Sequence, residues 1–189
     1  MIITISGKPC SGKSTIARGL VDKYGFERIS VGDIFKEEAK KRNMSSEEFN
    51  AFLMTNPDFD YVLDQHTAQI GKEREGEKVI FDSRCAWHFV PKSFKVFVDL
   101  DEDEMTKRLV NSDREGKEKY TDPQEAKRSL LNRRRLENER YKKIYNIDIE
   151  DLSNFDYVLN SSNKTPDELV EELWTAYNEF CEAERNSSK

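Results

Sequence analysis

Gly7, Gly12, Lys13 and Ser14 stand at the spacing G-x-x-x-x-G-K-[ST], inside the segment Gly7-Lys8-Pro9-Cys10-Ser11-Gly12-Lys13-Ser14. These residue types at this spacing can cradle a chain of phosphates. Glycines let the backbone curl until several N–H groups point at one anion, and a helix starting near Gly12 adds its positive end. Lys13 is placed to reach the β- and γ-phosphates of a nucleoside triphosphate, and the Ser14 hydroxyl to hold Mg²⁺.

Such a loop binds phosphate only between a strand and a helix. Ile2-Ile3-Thr4-Ile5-Ser6 reads as a buried strand, and Thr15-Ile16-Ala17-Arg18-Gly19-Leu20-Val21 as a helix. Further strands are predicted at 26–30, 78–82, 94–99 and 156–160. Between them, Ser45-Ser46-Glu47-Glu48 is a capping box. Asn56-Pro57 breaks that helix, and another follows from about Phe59 to Gly71. Asp122-Pro123 opens a long helix reaching about Ile144. In the last helix, capped by Thr165-Pro166-Asp167-Glu168, Leu169, Leu173, Trp174, Tyr177, Phe180 and Cys181 recur at helical spacing and read as core. Strands alternating with helices imply an α/β fold with a parallel sheet covered on both faces, and ligands bind such sheets at the strands' carboxyl ends.

Two more groups could do chemistry. Asp82 ends an apolar strand, where a phosphate-loop protein keeps the carboxylate that orders the metal's water shell. Arg84, two residues on, suits a bidentate phosphate clamp. Arg133, Glu137 and Arg140 share one helix face. They are either a solvated ladder of ion pairs or arginines that fold over transferring phosphates. The second reading predicts that Arg140→Ala collapses kcat with little change in Tm.

The length of 189 residues suits one compact domain. A formal net charge of −6 argues against a general nucleic-acid binder. No apolar run is long enough to span a bilayer. Three widely spaced cysteines, Cys10, Cys85 and Cys181, make no disulfide framework and fit a reducing, cytoplasmic setting. His66 and His88 lack metal-ligand spacing. Guanine-nucleotide markers are missing, because Asn163-Lys164-Thr165-Pro166 has Pro where Asp is required.

The ordered set of motifs resembles the cytidylate kinases, in their short form. The resemblance runs from Met1 to about Leu173 and includes the phosphate loop, Ile29-Ser30-Val31-Gly32-Asp33-Ile34-Phe35-Lys36, Phe81-Asp82-Ser83-Arg84 and Arg140-Tyr141-Lys142-Lys143-Ile144-Tyr145. It implies a three-layer P-loop kinase fold with a five-stranded parallel sheet. A helical arm for the nucleoside monophosphate would occupy about 31–77 and a small lid about 111–121, with a disordered tail at about 184–189. It implies phosphoryl transfer from ATP, with Mg²⁺, to CMP or dCMP, by a monomer acting on small nucleotides and needing neither nucleic acid nor membrane.

The ATP-binding set is then Gly7, Lys8, Pro9, Cys10, Ser11, Gly12, Lys13, Ser14, Thr15 and Arg108, with Ser14 and Asp82 toward the metal. The acceptor set is Asp33, Lys36, Arg84, Arg133, Glu137 and Arg140. Lys13, Arg84, Arg133 and Arg140 are the expected catalytic residues. Two departures bear on the acceptor. Lys36 stands where the family has an Arg, and Cys85 where the common bacterial enzymes have an Asp that helps read cytosine. Looser base choice is expected from Cys85. The alternatives are a P-loop kinase of another small acceptor (AMP, UMP or a non-nucleotide) and a non-catalytic ATP-binding module.

Overall fold

The computed structural model of the protein describes residues 1–56, 58–111 and 122–187. Its strands are β1 (Ile2–Gly7), β2 (Glu27–Ser30), β3 (Val79–Asp82), β4 (Ser93–Asp99) and β5 (Tyr157–Asn160). Its helices are α1 (Lys13–Tyr24), α2 (Val31–Lys41), α3 (Ser46–Leu53), α4 (Asp58–Glu73), α5 (Ala86–Phe89), α6 (Glu102–Asn111), α7 (Pro123–Tyr145) and α8 (Pro166–Ser187).

The strands form one parallel sheet in the order β2-β3-β1-β4-β5. Alternation within each strand builds the layers. Ile3, Ile5, Ile80, Val96 and Val98 point to one face, where Ile16, Ala17 and Leu20 of α1 and Leu169, Val170 and Leu173 of α8 cover them. Ile2, Val79 and Phe81 point to the other face and meet Ala86 of α5 and Ile70 of α4. β1 and β3 are buried at every position, as a sheet covered on both sides requires. Each of these large side chains contributes about 1.5–3 kcal/mol by leaving water.

The sheet order also sets the site. β1 lies between β3 and β4, so the chain runs out on one side of β1 and later on the other. Such a reversal leaves a crevice at the strands' carboxyl ends. Ile5 is in register with Asp82, and Gly7 with Val98.

Helices α2, α3 and α4 form the arm-like excursion between β2 and β3. They carry a small core of their own, in which Phe49 is fully buried and its ring lies 4.8 Å from Phe35 and 5.4 Å from Phe59. Ser45 and Glu48 make the reciprocal capping box that their spacing predicts. Asp122 caps α7 by accepting from the Gln124 N–H at 3.0 Å.

The structure differs from the sequence reading at two places. The tail expected to be disordered from about 184 is helical through Ser187, because Glu182, Ala183, Glu184 and Arg185 extend α8 as good helix formers. The single turn α5 had no signal of its own. The lid expected at about 111–121 lies, beyond Asn111, outside the described residues, as does Pro57.

Candidate active site

The phosphate loop follows β1 without a break. At Gly7 a Cβ would lie 2.4 Å from the Val98 carbonyl oxygen, so only glycine lets β1 and β4 run this close. Gly12 has φ 84°, a left-handed conformation that glycine adopts freely, and its carbonyl accepts from Thr15 and Ile16 to start α1. Cys10 is also left-handed, with φ 61°. Pro9 is half-buried and Thr15 exposed. The Ser11 hydroxyl is buried and has no hydrogen-bond partner among the described residues.

Lys13 and Asp82 are ion-paired across the gap between β1 and β3. Asp82 is 2% exposed, and its second oxygen receives Arg28 Nη2 at 2.5 Å and Nε at 3.1 Å. Burial pushes the Asp82 carboxyl up, but Lys13, Arg28 and the Ser14 hydroxyl together hold it below its ordinary value. Burial pushes Lys13 down, with Asp82 offsetting part of the effect. Arg28 also reaches Asp33 at 3.2 Å, in the first turn of α2. Lys36 lies 3.6 Å from Asp33 and is largely exposed.

Lys8 pairs with Asp99 at 2.6 Å and donates to the Leu100 carbonyl at 3.1 Å. Arg108, on α6, donates to the Ser161 carbonyl at 2.6 Å and to the Cys10 carbonyl at 3.4 Å. It therefore ties the phosphate loop to the turn after β5.

Arg84 lies on the turn after β3. Its carbonyl accepts from Ser6 and from the Trp87 indole, each at 3.1 Å, which fixes the turn. Its guanidinium is ion-paired with Glu137 of α7. Glu137 is 1% exposed, and its other oxygen has no hydrogen-bond partner among the described residues. Arg133 is half-buried and makes no ion pair among the described residues.

Arg140 departs from the expected placement. Its side chain is 4% exposed; Nε lies 2.9 Å from Asp60, and Nη1 donates to Asn50 at 2.8 Å. No contact among the described residues joins it to the Lys13–Asp82 pair. The Arg133/Glu137/Arg140 face is thus neither a wet ladder nor one converging set. It splits into an arginine without an ion pair, a partner for Arg84, and a buried strut between α7 and the arm.

Sequence reasoning missed Arg28, Asn50, Asp60 and Asp64. Asp60 and Asp64 are buried on one face of α4, spaced by a helical turn, and an acidic pair inside an apolar pattern was the available signal. Asp64 accepts from Tyr145 at 2.8 Å. Burial, reinforced by Asp60, raises its carboxyl from 3.8 to about 7. Cys85 is 1% exposed and packs against Tyr141 and Ile149. Burial, then Asp64 and Asp60, push its thiol well up.

Among the described residues, no group of His, Cys, Asp or Glu could hold a metal by itself. One carboxylate and one hydroxyl, Asp82 and Ser14, instead suit Mg²⁺ that arrives on nucleotide phosphates. No helix among the described residues is long and apolar enough to cross a membrane.

A phosphate loop, a carboxylate on the neighbouring parallel strand and an arginine on the turn that follows it define a P-loop kinase. The fold is shared with shikimate kinase from Bacteroides thetaiotaomicron, at TM-score 0.59 and 15% identity over 93% of this chain and 97% of that one. The chain belongs to the cytidylate kinase-like family, whose profile matches residues 2–163. It is 36% identical to the cytidylate kinase of Halorubrum lacusprofundi over 92% of this chain and 87% of that protein. It is 34% identical to the cytidylate kinase of Methanopyrus kandleri over 97% and 96%.

Proposed function

We propose that this protein transfers the γ-phosphoryl group of ATP to CMP or dCMP, giving ADP and CDP or dCDP. The observation that carries this is the Lys13–Asp82 pair at the mouth of β1 and β3, with Arg84 on the next turn, in a chain of this family. An oxygen of the acceptor's phosphate attacks the γ-phosphorus, and the bond from that phosphorus to the β–γ bridging oxygen breaks. The acceptor is already an anion, so no general base is required; positioning and charge neutralisation supply the rate.

In this reading the loop amides from Lys8 to Ser14 hold the β-phosphate. Lys13 leaves Asp82 for the transferring oxygens. Asp82 and Ser14 hold Mg²⁺, which neutralises charge on the β- and γ-phosphates when bound. Arg108, already against the loop, faces the ATP side. Arg84 holds the acceptor's phosphate, oriented by Glu137, and Arg133 is available for the same anions. Asp33 and Lys36, at the start of the arm, border the acceptor. Arg140 fastens the arm to α7. Closure over both bound substrates would exclude water and prevent wasted hydrolysis. The enzyme is proposed to act as a cytoplasmic monomer.

Acceptor-dependent ADP release from ATP tests this reading across CMP, dCMP, UMP and AMP. Release greatest with CMP or dCMP supports it. Release only with another acceptor would reassign the substrate, and ATP binding without turnover would reduce the protein to a binding module.

A further inference from the structure

We infer that Arg28 is a positioning residue for phosphoryl transfer, the group that keeps the buried Asp82 carboxylate compensated and aimed once Lys13 has moved to the phosphates. The inference rests on the proposed role of Lys13. In the structure the two oxygens of Asp82 are divided between two cations: Lys13 takes Oδ1, and Arg28 takes Oδ2 with both Nε and Nη2. The Asp82 side chain is 1% exposed, so water cannot replace a departing partner. Lys13 has a single positive charge, and once its donors turn to the phosphates Asp82 keeps less of it. Without a second cation, freeing Lys13 would leave a buried carboxylate unpaired, and that penalty would oppose nucleotide binding.

Arg28 is built to stay. It lies on β2, hydrogen-bonded beside β3 with Ser30 opposite Asp82. Its side chain is 16% exposed, and its remaining nitrogen, Nη1, is held by Asp33 at 3.2 Å. The planar fork therefore spans the carboxylate and the first turn of the arm. Asp33 is itself fixed, because its N–H donates to the Ser30 hydroxyl at 3.2 Å. A residue that merely stapled β2 to β3 would affect stability alone. A residue that releases Lys13 must affect nucleotide affinity, and most strongly when no divalent cation is present to compensate Asp82.

Calorimetric titration of the full chain with ATP, in EDTA and in Mg²⁺, separates these roles for the native protein, Arg28→Ala, Arg28→Lys and Lys13→Ala. Arg28→Ala is expected to weaken ATP binding in EDTA by roughly ten- to a hundredfold, the range for losing a charged hydrogen-bond partner, and by clearly less in Mg²⁺. Arg28→Lys, which keeps a charge but loses the fork, is expected to recover part of the affinity. It serves as the test variant if the alanine protein does not fold. Equal losses with and without Mg²⁺, or a lowered Tm with unchanged affinity, would overturn the inference. If Lys13→Ala leaves ATP affinity unchanged, the role of Lys13 falls and takes this inference with it, a result distinct from failure at Arg28 alone.

Discussion

Arg84 and Glu137 join the turn after β3 to the middle of α7, by an ion pair whose carboxylate is 1% exposed and keeps one oxygen without a hydrogen-bond partner among the described residues. A buried carboxylate held by one arginine both orients that arginine and depends on it.

Arg84→Ala should therefore act twice. It should raise the KM for the acceptor more than that for ATP, with a loss of about 1.5–3 kcal/mol for a charged hydrogen-bond partner. It should also lower Tm, since Glu137 is left unpaired. Steady-state kinetics with each substrate varied, together with a melting curve, decide. An effect confined to the ATP KM would place Arg84 on the wrong nucleotide.

Arg140→Ala should destabilise the protein by about 3–5 kcal/mol, the usual cost of stranding one partner of a buried pair. The sequence alone predicted a collapse of kcat with little change in Tm, because it placed Arg140 over the transferring phosphates and could not show its burial against Asp60 and Asn50. The Asp60 side chain is 4% exposed and would lose its ion-pair partner with Arg140. The double variant with Asp60→Asn should lose less than the sum of the two single changes. Additive losses in denaturant titrations would show that the two residues do not act as a pair.

Asp64 sets a pH dependence of definite sign. Its carboxyl is raised from 3.8 to about 7 in the fold, so the folded state holds the proton more tightly than the unfolded chain does. Its contribution is most favourable below about pH 4, falls as pH rises toward 7, and is flat above. Asp64→Asn, which keeps an acceptor for Tyr145, should raise Tm at pH 8 and give progressively less gain toward pH 4. Paired melting curves across that range check it. A gain that does not change with pH would mean that Asp64 does not titrate in this window.

Asp82→Asn keeps the shape of the side chain and removes its charge. The Mg²⁺ concentration needed for half-maximal activity should rise, and kcat should fall. An unchanged Mg²⁺ titration at full activity would remove Asp82 from the metal's surroundings.

The sheet was legible because its information is local. Apolar runs such as Ile2-Ile3-Thr4-Ile5 and the phosphate-loop spacing each lie within a few residues. Caps such as Ser45/Glu48 are local as well. That Lys13 and Asp82 share one site could be anticipated from the strand ends beside them, but their ion pair was not. Partner choice was not legible where it depends on how elements pack. Arg140 meets Asn50 and Asp60 only because α7 lies against the arm, and no spacing within α7 encodes that. Arg28 looked like one charge in a short edge strand, and its task appears only when β3 brings Asp82 beside it. Cys85 was singled out for its place after Arg84, and its burial against Tyr141 and Ile149 depends on how α7 and the segment after it pack.

In the proposed function the phosphate loop and its lysine drive phosphoryl transfer to a cytidine monophosphate. ADP release from Mg-ATP, measured for the native protein and Lys13→Ala with CMP, dCMP, UMP and AMP in competition, tests it most directly. Turnover is expected to be greatest with CMP or dCMP and to fall by about 10³-fold in Lys13→Ala while the melting curve still shows a folded protein. Near-normal turnover in Lys13→Ala, or no turnover of CMP and dCMP by the native protein, would contradict it.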